Sequence, residues 1–202
     1  MPKANWRSRN FFPITTICLV VVNLLAFLLE YKQGGVENLA TLEFLGALNS
    51  HVFSRGQWWR AIAANFLHYG PSHLALNLFA LSILGLITEK YYGALRFLGL
   101  FLGSGITSMA LMGVWFNYSQ QHHQLLVGSS AAILGLVGGL VVIYIQQWLD
   151  YPSIYYRNRL LGFTGIIILQ FFLDSQIPQV SLLSHLLGLG TGILLGWILR
   201  SL

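Results

Sequence analysis

The 202-residue chain is 55% hydrophobic and only 8% charged, with a formal net charge of +5. Soluble domains carry roughly 25% charged residues, so this composition excludes an ordinary water-soluble protein and indicates a chain that crosses a membrane several times. The positive charge would suggest nucleic acid binding in a soluble protein, but here the cations lie at the ends of apolar runs, where membrane topology explains them. The single cysteine, Cys18, lies within an apolar run and excludes a disulfide framework or a thiolate metal site.

Six apolar runs predict membrane spans and an all-α fold. They cover residues 14–31, 73–89, 97–116, 130–147, 160–174 and 180–199. The first run follows a basic segment, residues 1–12, and ends in Glu30, Tyr31 and Lys32 instead of a small-residue cleavage site, so we expect a retained span and not a signal peptide. The prediction is a cytoplasmic N-terminal segment followed by a six-helix membrane bundle over residues 13–202.

The distribution of Lys and Arg predicts the orientation of the bundle. With the N-terminus inside, eight of these residues lie on the cytoplasmic side and three lie outside. The inner group is Lys3, Arg7, Arg9, Lys90, Arg96, Arg157, Arg159 and Arg200, and the outer group is Lys32, Arg55 and Arg60. The positive-inside rule therefore places both termini in the cytoplasm. The compact six-span layout favours a bacterial plasma (inner) membrane.

The long first connection, about residues 33–70, is too apolar for a simple linker. Large apolar side chains alternate with charged ones, as expected of a segment in the outer headgroup region. They include Leu42, Phe44, Leu45, Val52, Phe53, Trp58 and Trp59, with Glu43, Arg55 and Arg60 between them. We expect a structured interfacial hairpin; the alternative is an ordinary aromatic anchor.

A serine at the head of the fourth span is the first candidate for chemistry. Ser130 lies in the sequence VGSSAAILG. A serine inside a membrane usually hydrogen-bonds its own helix, so Ser130 alone carries little weight. With a rise of about 1.5 Å per residue, Ser130 is expected about 8 Å below the outer surface and His185 of the sixth span at about 9 Å. The two side chains are thus predicted at nearly the same depth.

Two stripes of small residues predict that these side chains are also neighbours. Ala131, Gly135 and Gly139 form one stripe, and Gly188, Gly192 and Gly196 form the other. If the stripes face each other, their backbones approach closely and bring His185 to Ser130. A neutral imidazole can then take the serine proton during attack on a carbonyl. The alternative for His185 is a hydrogen bond to a carbonyl across a helix interface. The nearest acid, Asp174, is expected at the outer end of the fifth span, so we predict a dyad without an acid.

Two polar residues of the second span, His73 and Asn77, are the third element of the prediction. They are four positions apart and share a helix face, and polar side chains at such depth are functional candidates. They are suited, with the backbone amide of Ser130, to donate hydrogen bonds to an oxyanion. The alternative is a polar pair that only joins helices. His68, at the loop junction, is expected to tie the loop down.

A metal site is the competing interpretation of the histidines. His68, His73, His122 and His123 could gather, but their spacing is not that of a helical zinc motif and no carboxylate accompanies them. We therefore expect neither a metal nor another cofactor.

Together these residues resemble the rhomboid family of intramembrane serine proteases. The matching motifs are WR at Trp59 and Arg60, HxxxxHxxxN at His68, His73 and Asn77, Glu89 at the inner end of the second span, GxS at Gly128 and Ser130, and HxxG at His185 and Gly188. They cover most of the chain, in order and on the predicted spans. Two positions depart from the family pattern: Ala131 stands where glycine is usual, and Leu134 where an aromatic residue is common.

The resemblance implies a nucleophile, Ser130, a base, His185, and an oxyanion hole of His73, Asn77 and the Ser130 amide. It also implies structural roles for a set of motif residues: Trp59, Arg60, His68, Glu89, Gly128, Gly135 and Gly188. The implied partners are single-span transmembrane substrates in the lipid bilayer, cut near the outer face, and the oligomeric state is left open. The alternatives are an inactive rhomboid-like protein that binds transmembrane helices and a rhombosortase-like C-terminal processing protease.

Overall fold

The computed structural model describes residues 11–50, 55–119, 124–176 and 181–201. Within these ranges the chain forms eight helices and no sheet, as the all-α prediction required. The helices are α1 (Ile14–Lys32), α2 (Leu39–Leu45), α3 (Arg60–Ala63), α4 (Pro71–Tyr92), α5 (Ala94–Tyr118), α6 (Ser130–Asp150), α7 (Ile154–Gln176) and α8 (Leu182–Ser201). Most of the predicted N-terminal segment and residues 51–54 of the first connection, with Val52 and Phe53, lie outside the described residues.

Five helices, α1, α4, α5, α6 and α8, are long and apolar enough to cross a membrane. They coincide with the first, second, third, fourth and sixth predicted spans, and the chain is an integral membrane protein. The predicted fifth span lies within α7, which has 23 residues but is not among these five helices. The reason is composition, because Arg157, Asn158 and Arg159 near its start and Gln170 and Asp174 near its end dilute the apolar run. A sixth crossing by α7 stays a prediction.

The centre of the bundle is α6, which packs against α4, α5, α7 and α8. Its closest partner is α8, and the two small-residue stripes form the contact: Gly188 faces Ala131, Gly192 faces Gly135 and Gly196 faces Gly139. The predicted interface is confirmed. Because glycine carries no side chain, the two backbones touch directly, and this fixes α8 against α6.

The first helix is held at both ends by buried acidic residues. At its start, the carboxylate of Glu89 on α4 accepts the backbone N–H groups of Thr15 and Thr16, at 2.9 and 2.8 Å, and the Thr16 hydroxyl at 2.7 Å. The first backbone N–H groups of a helix lack partners within the helix, so this carboxylate completes the N-terminus of α1. At the other end, Glu30 Oε1 accepts the backbone N–H of His68 at 3.0 Å. The start of α1 is thereby bonded to the last turn of α4, and the end of α1 to the loop that precedes α4.

The first connection contains α2 and α3 and is organised around one guanidinium group. Arg60 is 7% exposed, and its Nη1 donates to the carbonyls of Glu43 and Ala47 at 2.6 and 3.0 Å. Its Nε donates to Gln57 Oε1 at 2.6 Å. The ring of Trp59 packs on Gly46, which ends α2 with a positive φ of 115° that favours glycine. The WR pair thus joins α3 to the end of α2.

Candidate active site

Ser130 is the first residue of α6, and this position defines its chemistry. The helix begins there after Ser129, which makes no side-chain cap. The backbone N–H of Ser130 is therefore one of the four that a helix leaves without an internal partner, at the positive end of the helix dipole. The residue is half-buried. The hydroxyl and the backbone N–H of Ser130 therefore lie together at the N-terminus of α6.

His185 lies in the first turn of α8, opposite the N-terminus of α6. Its Nε2 is 2.7 Å from Ser130 Oγ, and the residue is 4% exposed. Gly188 contacts the backbone of Ala131. Gly188 lies one turn after His185 on α8, and Ala131 directly follows Ser130 on α6, so this contact brings His185 next to Ser130. The structure thus brings together the two residues that depth and spacing singled out.

The prediction that no acid reaches His185 was wrong. Asp174 Oδ2 lies 2.6 Å from His185 Nδ1, and Asp174 is only 5% exposed. The sequence placed Asp174 at the outer end of its span and His185 well inside the next one. Instead α7 continues to Gln176 and α8 begins only at Leu182, so the two residues occupy the last and first turns of consecutive helices and meet.

His73 and Asn77 lie on one face of α4, beside the loop that leads into α6. Gly128 has a φ of +119°, and a β-carbon there would lie 2.8 Å from His73 Cε1 and Nε2 and 3.8 Å from Asn77 Nδ2. Only glycine combines this backbone conformation with such a close approach. The Asn77 side chain donates to the His73 carbonyl at 3.1 Å, which uses one of its two amide hydrogens. His73 and Asn77 therefore lie beside Gly128, which precedes Ser130 by two residues in the sequence.

His68 is completely buried behind the site. Its ring contacts that of His73 edge-on, with centroids 5.1 Å apart, and its Nδ1 lies 3.1 Å from the Phe66 carbonyl. Burial lowers the pKa of His68 to about 3, and the neighbouring His73 acts in the same direction, so the ring is neutral at physiological pH. The backbone N–H of His68 donates to Glu30, which joins this loop to the end of α1.

Glu30 was missed as a contributor to this region. From the sequence, Glu30 has no assigned role at the polar end of the predicted first span, whereas α1 continues to Lys32 and buries the Glu30 side chain completely. A signal was present in the sequence, because no helix-ending residue precedes Gly34 and the helix should run through Glu30.

The described residues contain no group of three or more His, Cys, Asp or Glu side chains that could hold a metal ion. His68 and His73 are neighbours, while His122 and His123 of the proposed four-histidine cluster lie outside the described residues.

Comparisons with known proteins identify the family. The rhomboid domain model matches residues 55–202. The chain is 29% identical over 181 residues to the rhomboid protease GluP of Bacillus subtilis, covering 90% of this chain and 34% of that protein. It is 35% identical over 161 residues to the mitochondrial RHOMBOID-like protein 6 of Arabidopsis thaliana, covering 79% and 50%.

A third relative has almost the same extent as this chain. The putative rhomboid protease YdcA of Bacillus subtilis is 29% identical over 210 residues, which cover 95% of this chain and 94% of that protein. The chain spans only a third to a half of the length of GluP and RHOMBOID-like protein 6. Since the domain model matches well over half of the residues, the chain belongs to the rhomboid family.

Proposed function

We propose that the chain is an intramembrane serine endopeptidase that cleaves single-span transmembrane proteins near the outer membrane face. The observation that carries this proposal is the 2.7 Å contact between Ser130 Oγ and His185 Nε2, where α6 packs against α8. A hydroxyl that bonds an imidazole can lose its proton as it attacks, whereas one bonded to its own helix cannot. The relatives named rhomboid proteases support the same activity.

The reaction follows acyl transfer in two steps. Ser130 Oγ attacks the scissile carbonyl while its proton moves to His185 Nε2, and a tetrahedral oxyanion forms. The imidazolium then gives that proton to the departing amine, which leaves an ester on Ser130. A water molecule attacks the ester, gives its proton to His185 and releases the new carboxyl group. The proton returns to Ser130, and the enzyme is restored.

The oxyanion would be held by donors on two helices. The Ser130 N–H at the start of α6 is aimed outward along the helix axis and lies in the favourable field of the helix dipole. Asn77 offers its second amide hydrogen, and His73 offers a ring N–H next to Gly128. Each such donor contributes roughly 100- to 1,000-fold to the rate in other acyl-transfer enzymes.

The substrate class follows from the apolar surroundings. A peptide bond in a transmembrane helix has its carbonyl hydrogen-bonded within the helix, so the substrate must unwind locally before Ser130 can reach it. Transmembrane helices with glycine or proline near their outer end meet this requirement most easily, because these residues lower the cost of unwinding. The Lys and Arg distribution supports both termini in the cytoplasm, with the site toward the outer face. The compact layout supports a bacterial plasma membrane.

Labelling with a fluorescent fluorophosphonate tests the proposal. We expect the detergent-solubilised wild-type chain to be labelled and the Ser130→Ala and His185→Ala variants to be unlabelled, because only an activated serine reacts. Ser129→Ala is the matched control, since Ser129 is the adjacent serine, is 1% exposed, and its Oγ has no hydrogen-bond partner among the residues that the structure describes. This variant should keep the label.

Two results would contradict the proposal. Absence of label on folded wild-type protein, or label that survives Ser130→Ala, would favour a rhomboid-like protein that binds helices without cutting them. For a labelled chain, cleavage of a general single-span substrate indicates a general protease. Cleavage only of a substrate that ends in a C-terminal sorting helix indicates a rhombosortase-like enzyme.

A further inference from the structure

We propose that Asp174 is a positioning residue of this site, which fixes His185 in the tautomer that carries its proton on Nδ1. The inference rests on the proposed function and adds an acid to the Ser130–His185 pair. Its basis is the 2.6 Å contact between Asp174 Oδ2 and His185 Nδ1, with both side chains buried.

The direction of each hydrogen bond follows from what the groups can donate. In this proposal Asp174 is a carboxylate, which has only acceptors, so that the proton between Asp174 and His185 belongs to Nδ1. In a neutral imidazole Nε2 is then unprotonated and can only accept. The hydroxyl of Ser130, 2.7 Å away, must therefore donate to Nε2. This arrangement orders the chain of contacts from Ser130 to Asp174 for proton removal from the serine.

The second carboxylate oxygen is also held. Gln170 Nε2 donates to Asp174 Oδ1 at 2.8 Å, from one turn earlier on α7. A buried carboxylate is costly unless its oxygens are hydrogen-bonded, and here each oxygen has a partner. Gln170 thereby orients the carboxylate toward α8. The carboxylate reaches His185 only while the last turn of α7 and the first turn of α8 keep their mutual position. The two helices contact each other at few other places.

The proton transfer leaves Asp174 ionised throughout. When Ser130 attacks, its proton moves to Nε2 and the ring becomes an imidazolium with protons on both nitrogens. The Nδ1–H stays bonded to Asp174 Oδ2, and the negative carboxylate stabilises the positive ring. When Nε2 gives its proton to the departing amine, the ring returns to its starting tautomer. Asp174 therefore touches neither the substrate nor the reacting atoms and acts through His185.

The first test is the tautomer itself, read from nitrogen NMR of the histidine-labelled chain, with His185→Ala to assign the signal. We expect the Nδ1–H tautomer in the wild type and in Ser130→Ala, and a shift toward the Nε2–H tautomer in Asp174→Asn, because the new amide can donate to Nδ1. An Nε2–H tautomer in the wild type would show that Asp174 is protonated and would overturn the proposal. An unchanged tautomer in Asp174→Asn would also overturn it. The wild-type spectrum decides even if the variant does not fold.

The second test is kinetic. We expect Asp174→Asn to lower kcat at least about 100-fold with KM nearly unchanged, since the wrong tautomer cannot take the serine proton; the same change in a serine protease costs roughly 10,000-fold. The matched control is Asp150→Asn, an exposed aspartate at the end of α6, which should keep full activity. A stably folded Asp174→Asn variant with wild-type kcat would overturn the positioning role.

The two tests separate this inference from the proposed function. A chain with the Nδ1–H tautomer but no reaction between Ser130 and a fluorophosphonate supports the role of Asp174 and contradicts the protease assignment. A labelled and active chain whose kcat does not depend on Asp174 supports the protease assignment and contradicts the role of Asp174.

Discussion

Gly192 of α8 lies directly against the carbonyl oxygen of Gly135 of α6, with no space for a side chain between the helices. The same contact repeats one turn away, where Gly188 faces the Ala131 carbonyl. Since Ser130 and His185 flank this contact on their respective helices, the separation of the two backbones sets the distance between hydroxyl and imidazole. The helix interface and the geometry of the site are therefore one feature.

Gly192→Ala tests this link. The new β-carbon would collide with the Gly135 carbonyl, which is backbone and cannot rotate away, so the helices must separate. We expect a loss of a few kcal/mol of stability, of the order seen for overpacked interiors, and loss of fluorophosphonate labelling. Gly190→Ala is the matched control on the same helix, because a β-carbon at that position meets no atom of the described part of the chain within 4 Å. Equal melting temperatures for the two variants would contradict the interpretation.

Asn77→Ala tests the oxyanion role. Removal of one oxyanion donor should lower kcat by roughly 100- to 1,000-fold, while labelling of Ser130 persists at a reduced rate because the Ser130–His185 contact remains. The matched control is Asn23→Ala. Asn23 is also buried and donates to a carbonyl of its own helix, Leu19, at 2.7 Å, but it lies on α1.

The two asparagine variants separate catalysis from stability. Both lose one hydrogen bond to the helix backbone, so both are expected to lose about 1 kcal/mol of stability. Only Asn77→Ala should lose activity per folded molecule. A similar kcat for the two variants, measured against a cleavable transmembrane peptide, would assign Asn77 to helix packing alone.

The sequence predicted the Ser130–His185 pairing because two regular features agreed. The small residues recur at intervals of four on both helices, and the number of residues from each helix end gave a common depth. Such periodic patterns extend over several turns, so an error of one or two residues at a helix end does not change them. The α6–α8 interface is therefore predictable from the sequence alone.

The contact of Asp174 could not be derived in the same way. It depends on where α7 ends and α8 begins, and helix ends are the least certain part of a pattern based only on hydrophobicity. A shift of two residues at the ends of α7 and α8 separates a surface aspartate from one that bonds His185. The polar ends of α7 also concealed whether its apolar centre forms a span, since the hydropathy of a short run is diluted by them.

Glu89→Gln tests the anchor of α1. The carboxylate accepts three hydrogen bonds from Thr15 and Thr16, and an amide presents one acceptor while placing an NH2 against donors. We expect a loss of about 1–3 kcal/mol in unfolding free energy in detergent, with labelling of Ser130 retained below the melting temperature. Glu43→Gln is the control. Glu43 is exposed, and its Oε1 accepts one hydrogen bond, from Asn49 Nδ2, which an amide oxygen can accept as well, so we expect a change within about 0.5 kcal/mol. Equal losses in the two variants would argue against the anchoring role.

The buried ring of His68 predicts an acid-sensitive stability. Its pKa is about 3 in the folded chain against about 6.5 in an unfolded one. At pH values between about 3 and about 6.5, His68 is protonated in the unfolded chain and neutral in the folded one. The free energy of unfolding therefore falls as the pH drops below about 6.5. One pH unit corresponds to about 1.4 kcal/mol, and the loss at pH 5 amounts to roughly 2 kcal/mol.

Thermal unfolding in detergent at pH 7.5 and pH 5 measures this effect, with His68→Gln as the comparison. The glutamine variant is expected to start less stable, because it loses the ring contact with His73 and the bond to the Phe66 carbonyl. It should nevertheless lose less stability on acidification than the wild type, since glutamine does not titrate and the other histidines are the same in both chains. An identical loss between the two pH values in both chains would show that His68 does not resist protonation, and that the first connection is held against α1 independently of the charge state of this ring.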